Sequence, residues 1–189
     1  MDIFLQTYKT ELTKLIKDID AQNLQEIVDA LEASHARGGK MYVIGNGGSA
    51  ATASHMVNDL GAGLKRREIK NFHIESLADN VAVCTALAND IGYEHIFSMQ
   101  LKDKITKKDI LIAISCSGNS KNITNAVAYA KEQGTLIIGL TGFHGGYVKE
   151  NSDLNFHVPT DANKYGLVED LHMIFNHMLY SYFIDKHNA

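Results

Sequence analysis

Apolar residues near the start of the chain (Ile3, Leu5, Leu12, Leu15, Ile16, Ile19, Leu24, Ile27, Val28 and Leu31) recur at helical spacing, with charged residues between them. The spacing predicts one long helix from residue 2 to about 37, ended by Gly38-Gly39. Such a helix has more than one face to bury, and a partner subunit is one way to bury the second. Beyond it the period changes. MYVIG (41–45), NFHIESL (71–77), DILIAIS (109–115), TLIIGLTG (135–142) and LNFHVP (154–159) are short apolar runs of strand type, NFHIESL the weakest. Helical stretches follow at 50–61 and 79–88, then in GNSKNITNAVAYAKEQG, closed by Gly134, and finally in GLVEDLHMIFNHMLYSYFIDK. Continuous apolar strands alternating with amphipathic helices predict a doubly wound α/β domain, its parallel sheet covered on both faces. One proline, no low-complexity stretch and no linker imply a single domain over residues 1–189.

Composition narrows the function classes. The 189 residues are 45% apolar, enough for a sizeable core. A net charge of −4 argues against a nucleic-acid partner. Lys65-Arg66-Arg67, followed at once by Glu68, reads as a solvated turn after a helix. The opening residues are charged throughout, and no apolar run reaches the roughly 18 residues a membrane span needs. The expectation is a cytoplasmic protein with no membrane partner, in which Cys84 and Cys116 stay reduced.

In a doubly wound sheet, ligands gather at the carboxyl ends of the strands. Two strand-to-helix turns there have unusual composition. Gly45-Asn46-Gly47-Gly48-Ser49 would let backbone approach a ligand and aim helix N–H groups at an anion. Ser115-Cys116-Ser117-Gly118-Asn119-Ser120 would add hydroxyl donors for phosphate oxygens. Either turn alone reads equally well as an ordinary capped turn. Neither has nucleotide or dinucleotide spacing, so the pair points to a phosphorylated small molecule.

His55 and Asp59 stand four apart on a predicted helix and share a face. On the last helix Glu169 and His177 are eight apart, roughly 80° around the wheel, with His172 on the other side of Glu169. Two imidazoles and two carboxylates suit zinc or another first-row divalent ion, and equally suit proton shuttling near neutral pH. Asn89-Asp90 reads either as a helix stop or as a polar pair for a sugar hydroxyl. His35, His73, His95, His144, His157 and His187 carry no signal of their own.

GNGGSAATASHMVNDL, ALANDIGYEHIF, ILIAISCSGNSKNI, IIGLTGFHGG and VEDLHMIFNHML together resemble the phosphoheptose isomerases of the SIS (sugar isomerase) domain superfamily, over nearly the whole chain. The resemblance implies a flavodoxin-like sheet and a homotetramer with active sites at subunit interfaces. It also implies conversion of sedoheptulose 7-phosphate into D-glycero-D-manno-heptose 7-phosphate, towards nucleotide-activated heptose for bacterial surface glycans. The implied substrate contacts are Asn46, Gly47, Gly48, Asn89, Asp90, Ser115, Cys116, Ser117 and Ser120, and the zinc positions are His55, Asp59, Glu169 and His177. Ser49, within the first loop, joins the expected substrate set, as do Asp59 and Glu169. Three positions depart from the family pattern: Asp59 replaces a glutamate, Glu169 a glutamine and Cys116 a threonine.

An aldose–ketose interconversion moves a proton between C1 and C2, so it needs an anchored phosphate, a base, an acid and a polarised carbonyl. The expected assignment is Asp59 as base, His177 as partner acid/base, a divalent ion as polariser, and Ser115, Ser117 and Ser120 on the phosphate. A phosphosugar-sensing or replication-initiator-associating SIS module without catalysis, or an isomerase of another ketose phosphate, are the alternatives.

Overall fold

The computed structural model describes residues 1–188. Its organising element is β3, Ile110–Ser115, in which all six residues are buried. A run with no exposed side chain needs cover on both faces. Around it lie β1 (Met41–Gly45), β2 (Ile74–Ser76), β4 (Leu136–Gly142) and β5 (Leu154–Val158), in the order β2-β1-β3-β4-β5. Every pairing is parallel, with Gly45 opposite Ile114 where β1 meets β3. All the expected strands form, β2 being the shortest.

The strands alternate their side chains between two apolar layers. On one face Met41, Val43, Ile110, Ile112, Ile114, Ile138 and Leu140 pack against α2 (Ala21–Ala36), α3 (Gly48–Met56) and α8 (Tyr165–Asn188). On the other, Tyr42, Ile44, Leu111, Ala113 and Ile137 pack against α5 (Ile96–Leu101), α6 (Lys121–Glu132) and α7 (Gly146–Asn151). The doubly wound architecture is therefore as the periodicity predicts. No helix among the described residues is long and apolar enough to cross a membrane.

The N-terminal region departs from expectation. It is two helices, α1 (Asp2–Lys17) and α2, broken at residues 18–20. Asp20 adopts extended backbone and its carboxylate accepts a hydrogen bond from the Gln22 N–H at 2.9 Å, an N-cap that starts a new helix. The predicted helix 50–61 also changes character. After Met56 the chain winds as a π-helix over Val57–Gly63. Short helices α5 and α7 went unpredicted because neither is long enough to show a period. α4 (Val81–Ile91) has no buried residue despite its apolar sequence, and Val81 is 70% exposed.

His172 of α8 is fully buried against the sheet. Its Nε2–H donates to the Thr141 carbonyl at 3.3 Å, and Nδ1 has no partner. Burial pushes its pKa down to about 4, against a smaller upward pull from that carbonyl. The unfolded chain, with an ordinary histidine, binds this proton as pH falls below about 6.5, whereas the folded chain does so only near 4. Stability contributed by neutral His172 should thus be complete above pH 6.5 and decline by roughly 3 kcal/mol as pH falls to 4. His157 and His35, also lowered by burial, act in the same direction. Urea unfolding across this range should show a shallower decline for His172→Gln than for the wild type; identical profiles would refute the assignment.

Candidate active site

The sheet order reverses direction between β1 and β3, so the loops leaving their carboxyl ends flank the crevice where such folds bind ligands. α3 follows β1 and lies beside α8, the two running in the same direction. Gly48 faces Glu169, His55 faces His177, and Asp59 faces Asn176. The two helices thus meet at successive levels along their length.

At the level of His55 the arrangement is polar. His55 Nε2 lies 3.1 Å from Asp59 Oδ2 and 3.2 Å from His177 Nε2. The two rings meet edge to face with centroids 5.2 Å apart. Asp59 is only 6% exposed, while His177 is exposed and the His55 side chain is 42% exposed. Asn176 Nδ2 donates to Asp59 Oδ2 at 2.8 Å and Asn58 Nδ2 to Oδ1 at 3.0 Å, fixing the carboxylate. Asp59 sits in the π-helix, a wider turn that often marks functional segments.

The group suits a divalent ion. His55, Asp59 and His177 each offer a ligand atom, all within 4.8 Å of one another. A ring nitrogen carries one proton or one lone pair, so His55 Nε2 cannot hydrogen-bond Asp59 and also accept from His177. Lone pairs from all three on one cation remove that conflict. Tetrahedral zinc, with bonds of about 2.0–2.1 Å, spaces its ligand atoms about 3.3 Å apart, close to the two separations found. Glu169, expected as a fourth ligand, is not in this group. Its carboxylate packs on Gly48, about 10 Å along α3 from His55 at helical rise.

The two expected ligand loops form the crevice rim. Gly47 takes φ +52°, and Gly118 takes φ +65° with its Cα so close to the Gly145 carbonyl that a Cβ would fall 1.8 Å from the oxygen. Asn46 exchanges side-chain hydrogen bonds with Asn122, at 2.9 and 2.7 Å, and accepts from Tyr93 Oη at 2.8 Å. In the second loop Ser115 Oγ accepts from the Gly118 N–H at 3.1 Å, and Ser117 Oγ from Asn119 at 3.3 Å. Ser120 starts α6 without a side-chain cap, leaving N–H groups at that terminus for a ligand. Burial raises the Cys116 thiol to about 11, helped by the charge of Glu169 and opposed by hydrogen bonding to its own backbone and to Ser49. It is therefore a poor nucleophile.

Comparison with known proteins matches this geometry to a family. The SIS domain family profile matches residues 5–142. The phosphoheptose isomerase of Helicobacter pylori is 36% identical over 172 residues, 91% of this chain and 88% of that protein. That of Rhodospirillum rubrum is 38% identical over 159 residues, covering 84% and 83%. The solved phosphoheptose isomerase of Neisseria gonorrhoeae superposes with a TM-score of 0.86 at 25% identity, over 97% of this chain and 98% of that one. The chain belongs to the phosphoheptose isomerase family of SIS-domain proteins.

In this family member the structure brings His55, Asp59 and His177 together, and sets the loop at 45–49 beside that at 115–120. Asn89 and Asp90 lie exposed in the last turn of α4, which stops at Ile91 close to the expected break, and Asn89 Nδ2 donates to Asp90 at 2.8 Å. His172 faces the sheet, away from the group. Asn176, Asn122 and Tyr93 escaped the sequence reading. All three fall inside stretches that resemble the family, but a lone amide or phenol carries no chemical signal of its own.

Zinc titration should find one tight site per chain. His55→Ala, Asp59→Ala and His177→Ala should each weaken it more than about 100-fold, beyond the effect of losing a residue that only hydrogen-bonds a ligand. Glu169→Gln should leave the affinity within a few-fold. Loss of zinc in Glu169→Gln would return that residue to the ligand set.

Proposed function

We propose that the protein isomerises sedoheptulose 7-phosphate to D-glycero-D-manno-heptose 7-phosphate. The observation that carries this reading is the buried Asp59 carboxylate, held by two amides and flanked by His55 and His177. The two crevice loops supply what a phosphosugar needs. N–H groups at the start of α6 and the hydroxyls of Ser115, Ser117 and Ser120 hold the phosphate. Asn46, Gly47, Gly48, Ser49, Asn89, Asp90 and Glu169 border the sugar.

Asp59 takes a proton from C1, the electron pair forms the C1–C2 double bond, and His177 gives a proton to O2. The resulting enediol is resolved when O1 returns a proton to His177, forming the C1 carbonyl, and C2 takes the proton held by Asp59. Zinc or a similar ion, held by His55, Asp59 and His177, would polarise the carbonyl when bound. A sensing module needs none of these acid–base groups, which favours catalysis over that alternative.

The acid–base group, its imidazoles open to solvent and Asp59 buried beneath them, lies along α3 and its π-helical continuation from its own chain's loops. A homotetramer that brings one subunit's group to a neighbour's crevice would complete the site. Exposed Ile3 (86%) and Phe4 (64%) of α1, with the apolar outer side of α4, support α1, α2 and α4 as the assembly surface. Two unpaired cysteines suit the cytoplasm.

NMR of sedoheptulose 7-phosphate with purified protein should show the aldose forming without nucleotide or redox cofactor, and stopping with chelator. Asp59→Ala and His177→Ala should each lower the rate about 10²–10⁴-fold or more. Asp59→Glu should also slow it, because Asn58 and Asn176 fit the shorter arm. Light scattering should return about four times the 20.8 kDa chain mass. Inert protein with this sugar, yet active on a shorter ketose phosphate, would overturn the heptose assignment.

A further inference from the structure

The hydrogen bonds around Asn46 fix more than its place on the crevice rim. Its amide and that of Asn122 bond reciprocally: Asn46 Nδ2 donates to Asn122 Oδ1 at 2.9 Å, and Asn122 Nδ2 to Asn46 Oδ1 at 2.7 Å. The pair alone would fit equally well with both amides turned over, oxygens for nitrogens. The backbone breaks that symmetry. The Ile123 N–H lies 3.0 Å from Asn122 Oδ1, and an N–H only donates, so that atom is the oxygen. Asn122 is 1% exposed, and an inverted amide would leave two buried donors facing each other.

Tyr93 completes the arrangement. It belongs to the single 3-10 turn Tyr93–His95 between α4 and α5. Asn125 Nδ2 ties that turn to α6 by donating to the Glu94 carbonyl at 2.9 Å. Tyr93 Oη–H donates to Asn46 Oδ1 at 2.8 Å. An amide oxygen has two lone pairs, and Asn122 and Tyr93 occupy both. The second proton of Asn46 Nδ2 has no partner among the described residues, on a half-buried side chain.

We propose that Tyr93 is a positioning residue for ligand binding: its hydroxyl fills the last lone pair of Asn46 Oδ1 and locks that amide with only an N–H free for the crevice. Asn46 therefore meets a ligand as a donor, and the atom it reads is an oxygen lone pair of a hydroxyl, carbonyl or phosphate. A protonated amine, which has no lone pair, is refused there. The phosphosugar reading above enters only through the choice of ligand; the lock follows from the protein's own contacts.

A double-mutant cycle tests this, with sedoheptulose 7-phosphate binding followed by calorimetry and chelator present to halt turnover. Tyr93→Phe keeps the ring and should weaken binding about three- to tenfold, the worth of one hydrogen bond. Asn46→Ala should weaken it at least as much. Adding Tyr93→Phe to Asn46→Ala should then change binding by no more than about twofold, because Tyr93 acts through Asn46. A full further loss in the double variant, or no loss in Tyr93→Phe, would overturn the proposal; circular dichroism melts establish that each variant folds. Hydrogen exchange of the Asn46 side-chain amide, identified by its disappearance in Asn46→Ala, reads the lock without any ligand. It should be several-fold faster in Tyr93→Phe, and equal rates would overturn the lock. A wild type that does not bind this sugar would refute the substrate reading instead, and the exchange rates would then decide for or against Tyr93.

Discussion

The alignment of α3 with α8 is the contact on which the rest of the site depends. It is set by the apolar layer beneath: Ala53 and Met56 of α3 and Val168, Leu171 and Phe175 of α8 share one buried cluster with the sheet. Because packed interiors do not deform smoothly, that layer fixes which polar residues meet above it. Glu169 then falls on Gly48, His177 on His55, and Asn176 on Asp59. The Asn176–Asp59 bond lies at the junction of core and site, both residues being buried. Losing it would leave a buried carboxylate short of a donor, at a cost of about 1–3 kcal/mol.

Helix geometry explains a division of labour between the two ends of α3. Its first turn lies at the carboxyl end of β1, while its far end, continued by the π-helix, bears His55 and Asp59. The stretch from Gly45 to Asp59 therefore serves two sites rather than one. In the proposed reaction one end would face the ligand and the other the transferred proton, on a single rigid element.

Much of this was legible in the sequence. Uninterrupted apolar strands gave the parallel sheet, and the interval of four between His55 and Asp59 gave their shared face. The interval of eight between Glu169 and His177 separates them by about 12 Å of helix rise, and Glu169 here lies against Gly48 rather than beside His55. The broken N-terminal helix was signalled by Asp20 but masked by the apolar positions Ile19 and Leu24, which keep helical spacing across the break. The π-helix left no trace, because burial at Met56, Leu60 and Leu64 keeps an ordinary helical interval while the backbone bonds widen. Asn122 and Tyr93 depend on contacts 76 and 47 residues distant, which no local pattern encodes.

The position of α8 in the chain has a consequence for biosynthesis. It follows every strand, yet supplies His177, Glu169 and Asn176 and much of one layer over the sheet, through Leu167, Val168, Leu171, Phe175, Leu179 and Phe183. At about 5–20 residues per second, its 24 residues emerge from the ribosome over roughly one to five seconds, after both crevice loops have been made. Until then one side of the sheet is covered only by α2 and α3, and the His55–Asp59–His177 group lacks its last member. Nascent chain can neither complete its core nor assemble this group before α8 docks.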